Sequence, residues 1–176
     1  VGAGLMKPVL QNQNVITSNT ICDIIIVELH NPNPPYEVVT STTTFMNTNG
    51  TASCSFNANA GSYYIVVKHR NALATWSTIP KLISSTAITY DFTTAANKAY
   101  GGNMKNMGGN KYAFFSGDFN FDENIDLLDA TNLENDINNF SFGNFATDVN
   151  GDGNVDLLDD PVVQNNINNF MFSIHP

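Results

Sequence analysis

The chain has 176 residues, 42% apolar and 11% aromatic, enough to bury the core of one large or two small domains. Its net charge of −9 is lopsided: residues 1–117 carry seven basic and four acidic side chains, whereas residues 118–176 carry twelve acidic ones and no Lys or Arg. That sign argues against a nucleic-acid partner, and the longest aliphatic run, Ile24 to Val27, is far too short to span a membrane.

In chain order, a short strand is expected near Met6 to Leu10, followed by a loop through Gln11 to Thr20. Cys22 to His30 is rich in β-branched residues and reads as a strand, apolar on both faces at its centre. The prolines of Asn31 to Pro35 end it, since proline cannot donate to a ladder. Tyr36 to Met46 is the next strand, and Asn49-Gly50 is a strong hairpin signal. It leads to Thr51–Phe56, where Ala52, Cys54 and Phe56 alternate inward. After a turn at Ala60-Gly61, Ser62 to Arg70 reads as a long central strand. Further strands are expected at Thr75–Pro80, Ala87–Phe92 and Lys111–Phe115. Seven or eight strands at this spacing imply an immunoglobulin-like or transthyretin-like β-sandwich over residues 1–117. Residues 95–110, rich in Gly and Asn, are a linker or, by preference, a loop within one body. Cys22 and Cys54 fit either a disulfide across the sandwich or two buried thiols. With no initiator Met and no leader, the chain reads as a mature product or a fragment.

From Asp118 the pattern changes. Two twelve-residue stretches, DFNFDENIDLLD and DVNGDGNVDLLD, repeat at an offset of 30 residues. Oxygen-bearing side chains fall at positions 1, 3, 5, 9 and 12: Asp118, Asn120, Asp122, Asp126 and Asp129 in the first, and Asp148, Asn150, Asp152, Asp156 and Asp159 in the second. This is the ligand spacing of an EF-hand calcium loop, in which a backbone carbonyl fills position 7, here Asn124 and Asn154. Position 8 is Ile125 and Val155, expected to pair across the two loops. Position 6 needs a sharp turn, which Gly153 supplies and Glu123 resists. Position 12 is Asp rather than the longer Glu. Two Ca²⁺ ions are expected, with the second site less strained, and they would offset part of the acidic half's self-repulsion. Helices should follow near Leu128–Asn138 and Asp160–Asn168, with apolar stripes Leu133, Ile137, Phe140 and Val163, Ile167, Phe170. Pro161 is tolerable in a first turn.

These repeats resemble a dockerin type I module over residues 118–172, giving a domain of residues 118–176 after the sandwich. The whole chain also resembles C-terminal regions of large secreted proteins of Bacteroidota, through Tyr63 to Asn71, Thr75-Trp76, Tyr90 to Thr94 and the loops. The first resemblance implies docking to a cohesin, with loop positions 10 and 11 choosing the partner. Here these are Leu127, Leu128, Leu157 and Leu158, candidate partner residues that could equally be core against the sandwich. At least one leucine of each pair is expected to be core.

No constellation supports catalysis. His30, His69 and His175 lie apart, and the Asp clusters are spaced for a metal rather than as an acid/base pair. The leading expectation is a non-enzymatic, extracellular, calcium-binding module, a structural, adhesive or anchoring part of a larger surface protein whose partner is another protein or its own parent chain. The alternatives are a true dockerin, or a carbohydrate-binding module that stacks a surface polysaccharide on Trp76 and Tyr63 or Tyr64.

Overall fold

A run of β-branched residues favours a strand at Ile21–His30, which lies inside the sheet with a neighbour on each side. The computed structural model describes residues 5–176. Strand β1 (Ile21–His30) buries Ile25, Val27 and Leu29 on one face. It pairs antiparallel with β2 (Val38–Asn47) on one side and β3 (Gly61–His69) on the other. β3 is shared along its length: Val66, Val67 and His69 pair with β4 (Ala72–Trp76), and Gly61 to Tyr63 pair with β5 (Lys81–Ile83). The result is one five-stranded antiparallel sheet in the order β2-β1-β3-β4, with β5 beside β3. A separate hairpin joins β6 (Lys105–Gly108) to β7 (Lys111–Ala113).

One face of this sheet carries a core of Ile25, Val27 and Val67, covered by Phe92, Ala99 and Met104. Cys54, Phe56, Tyr90, Tyr112 and Phe114 complete the cover. Two layers are thus present, but the second consists of a short hairpin and irregular segments rather than a full sheet. The chain is mainly β with a small helical part.

Several expectations change. Met6–Leu10 is no strand: Pro8 opens a single helical turn, α1 (Val9–Asn12), that buries Leu10. Gly50 does turn the chain at φ +84°, yet Thr51–Phe56 then leaves the ladder. Cys54 and Phe56 still alternate inward, now as cover for the core rather than as a paired strand. Ala87–Phe92 is likewise irregular although Phe92 is buried, and the strand expected at Thr75 starts at Ala72. The two-residue turn at Arg70-Asn71 shifts it, because Asn71 lets β3 reverse at once. Cys22 and Cys54 are both free thiols, so no disulfide crosses the layers. Burial, with the charge of Asp23 beside it, pushes the Cys22 thiol up to about 11.

Residues 95–110 carry 3-10 turns at Ala96–Lys98 and Tyr100–Gly102 and lead into β6, with Ala99 and Met104 packed on the sheet's core. The acidic half adds α2 (Leu127–Asn138) and α3 (Asp160–Asn168), close to the expected spans. A second core unites Phe119, Ile125, Leu133, Val155 and Val163 with Leu73 of β4. Leu73 N–H donates to Phe115 and Gly117 N–H to Asn71, carrying the sheet's hydrogen bonding to the edge of the first loop. The C-terminal residues return to the sheet: Ser173 Oγ donates to the Ala74 carbonyl at 2.7 Å, and Asn103 Nδ2 to Phe172 O at 2.9 Å.

Candidate metal centre

Loop 2 is held by its own first and last carboxylates, and loop 1 by its last. In loop 2, Asp148 Oδ1 accepts from the N–H groups of Gly151 (2.8 Å) and Asp152 (3.1 Å), and Oδ2 from Gly153 (2.9 Å). Asp159 closes the loop from the other end, Oδ1 accepting from Val149 and Asn150 and Oδ2 from Asp156. Loop 1 repeats this closure: Asp129 accepts from Phe119, Asn120 and Asp126. Asp126 in turn caps α2 by accepting from Leu128 at 2.8 Å, so positions 9 and 12 serve loop and helix together. Leu158 N–H likewise donates to Asp156 at 2.8 Å, but in the turn ahead of α3, whose own N-terminus at Asp159 has no side-chain cap.

Positive φ falls where the spacing requires it, at Glu123 (+71°) and Gly153 (+92°). It also falls at loop position 4, Phe121 (+61°) and Gly151 (+69°), which the ligand spacing does not single out. Gly151 is a visible signal for this second turn, whereas Phe121 conceals it.

Ile125 and Val155 share one core, as expected of position 8, but their backbones do not pair with each other. Each loop pairs with the tail that follows the other repeat's helix. Ile125 N–H donates to Met171 O at 2.9 Å, and Val155 N–H to Ser141 O at 3.0 Å. Ser173 N–H and Gly143 N–H then cap the position-6 carbonyls of Glu123 and Gly153. This exchange explains why the apolar stripes stop short. Leu133 and Val163 are buried, but Phe140 and Phe170 turn at φ +52° to start the tails and stand 86% and 84% exposed.

The four leucines depart from the core expectation: Leu127, Leu128, Leu157 and Leu158 are 72%, 61%, 75% and 69% exposed. Leu127 and Leu128 open α2, where the Asp126 cap leaves positions 10 and 11 outward, and Leu157 and Leu158 lie in the turn ahead of α3, where Asp156 holds the Leu158 N–H. The sheet instead takes Phe119, Ile125 and Val163 through Leu73. The aromatic platform is absent as well. Trp76 and Tyr64 are buried and meet edge-on at 64° rather than coplanar.

Among the described residues no three His, Cys, Asp or Glu side chains are drawn close enough to hold a metal as they stand. The donor set nevertheless suits a hard dication. Asp118 is buried, and its Oδ1 has no hydrogen-bond partner. Burial, with the Asp129 and Asp122 charges, pushes its carboxyl up to about 6. Burial likewise raises Asp129 and Asp159 against their backbone N–H partners. Among the described residues no hydrogen bond uses the carbonyl oxygens of Asn124 and Asn154, the position-7 groups. A buried carboxylate with an unclaimed oxygen amid like charges is stabilised by a cation, and all-oxygen donors select calcium or magnesium.

Two paired acidic loops, each followed by a helix, define a class of calcium-type loop-helix repeat. Residues 116–168, about 30% of the chain, match the family model of the Dockerin type I domain. Dockerin type I domains bind calcium and dock on cohesin partners. No curated protein and no solved structure matches the chain.

Proposed function

We propose that the acidic repeats form a calcium-loaded protein-docking module, carried on the β-rich half as a sandwich-type platform within a larger extracellular or cell-surface protein. The ligands are Asp118, Asn120, Asp122, Asn124, Asp126 and Asp129 for one ion and Asp148, Asn150, Asp152, Asn154, Asp156 and Asp159 for a second. Asn124 and Asn154 contribute backbone oxygens. The partner is a cohesin-type protein, and the module is non-enzymatic.

The observation that carries the proposal is the exposure of Leu127, Leu128, Leu157 and Leu158 at equivalent places in the two repeats. Apolar side chains exposed as a pair at the same two positions of both repeats support an interaction surface rather than scattered surface hydrophobes. The reading of a structural anchor is supported by a different observation, the bonds of Ser173 and Asn103 that tie the module to the sheet. Both hold together if the sheet presents the module.

Binding to a panel of purified cohesin modules tests docking. The expected result is a complex in millimolar calcium that EDTA dissolves and that replacing the four leucines by Lys abolishes. A four-lysine variant that binds as the parent does, or no complex with calcium present, overturns it.

A further inference from the structure

We propose that Gln13 is a positioning residue of the second calcium site, and that α1 forms the outer wall of that site; the inference rests on the calcium reading of loop 2. Gln13 lies 135 residues before Asp148, yet its Nε2 donates to Asp148 Oδ2 at 2.8 Å. Among the described residues every other donor to that carboxylate belongs to the loop itself. Gln13 is only 4% exposed, and its Oε1 is buried without a partner. A buried amide oxygen with no donor is unfavourable, and a hard cation or its bound water is the partner that such an oxygen satisfies without receiving a proton from protein.

The residues around Gln13 hold the same contact. Asn12 Nδ2 donates to Gly151 O at 2.7 Å, and Lys7 Nζ to Asn150 Oδ1 at 3.2 Å. A Cβ on Gly151 would lie 2.5 Å from Val9 Cγ2, and one on Gly153 2.6 Å from Asn12 O. Both glycines are therefore required twice, for positive φ and for the approach of α1. Loop 1 has Phe121 and Glu123 at these places, and among the described residues no side chain from outside the repeats donates to Asp118. The two sites thus differ in what surrounds them, not only in loop sequence. Outer partners that orient a ligand are typically worth about ten- to a hundredfold in metal affinity.

The test uses the full chain in two backgrounds, Asp122→Ala to leave loop 2 alone and Asp152→Ala to leave loop 1 alone, with calcium itself as the probe. Gln13→Met keeps the size of the side chain and removes the donor. In calorimetric titration it is expected to weaken loop 2 by about tenfold or more. Loop 1 affinity should stay unchanged, which a general loss of stability would not allow. A Gln13→Met variant that binds calcium at loop 2 as tightly as its parent, or that loses equally at both loops, overturns the inference while leaving calcium binding in place. No calcium uptake by the unmodified chain overturns the underlying reading. If Gln13→Met does not fold, hydrogen exchange decides. Calcium should slow the amides of Gln11 to Gln13 in the Asp122→Ala background, and exchange that calcium leaves unaltered overturns the inference.

Discussion

Glu123 and Asp118 set the character of loop 1. A non-glycine residue at φ +71° is strained by about 1 kcal/mol or more. Glu123→Gly is therefore expected to strengthen calcium at loop 1 several-fold in calorimetric titration. Gly153→Glu should weaken loop 2 by more, because its side chain also meets the Asn12 carbonyl. A weaker loop 1 after Glu123→Gly would show that the carboxylate itself serves the site. Asp118 makes a separate prediction. Its folded value of about 6 exceeds the ordinary 3.8, so the ion-free fold binds more protons than the unfolded chain between those limits. Ion-free stability should rise as pH falls from 7 toward 4, while calcium affinity falls through the same window. The support that Asp23 gives through its His69 and Arg70 partners, despite the opposing effect of burial, lies lower and is lost only as pH drops below the ordinary carboxylate range. Melting curves in EDTA at pH 7 and 5 check the sign, and Asp118→Asn should flatten the difference.

At the scale of the element, the calcium loops and the helices are not separable parts. Asp129 closes loop 1 by three backbone bonds and completes the cap of α2. Asp129→Ala should thus lower stability even in EDTA, by about 1–2 kcal/mol for a lost cap, besides removing a ligand. Thermal unfolding in EDTA measures the first effect and titration the second. A variant as stable as its parent without calcium would mean the cap contributes nothing. The crossed pairing of loops and tails has a related consequence: each helix ends where the other repeat's loop needs a strand, which is why Phe140 and Phe170 leave their stripes. The stripe positions were legible as a 3.6-residue period, but where the period stops depended on a partner 30 residues away.

Over the whole molecule, Leu73 is the joint. It belongs to β4 by hydrogen bonding and to the calcium half by packing. Leu73→Ala should cost about 2–5 kcal/mol, and its effect should register in both halves. The opposite charges of the halves add attraction that salt screens. Chelation is accordingly expected to raise hydrogen exchange in Ser62–Arg70 and Lys111–Phe115 as well as in the loops. Full protection of those strands in EDTA, with the loops melted, would show that the halves open independently.

What the sequence alone determined is what local chemistry controls. The calcium-type loops were legible because ligand spacing, turn geometry and helix onset are set by neighbours within twelve residues, and the main strands β1, β2 and β3 by β-branched and aromatic runs bounded by turn residues. Tertiary structure decided the rest. Thr51–Phe56 has strand composition but lies off the sheet, because the core needed covering more than β2 needed a partner. Leu127, Leu128, Leu157 and Leu158 have core composition but face outward, in the turns held by Leu128 N–H to Asp126 and Leu158 N–H to Asp156. The placement of α1 on loop 2 left no local trace beyond two glycines: it joins residues 135 apart, and only packing brings such groups within hydrogen-bond distance.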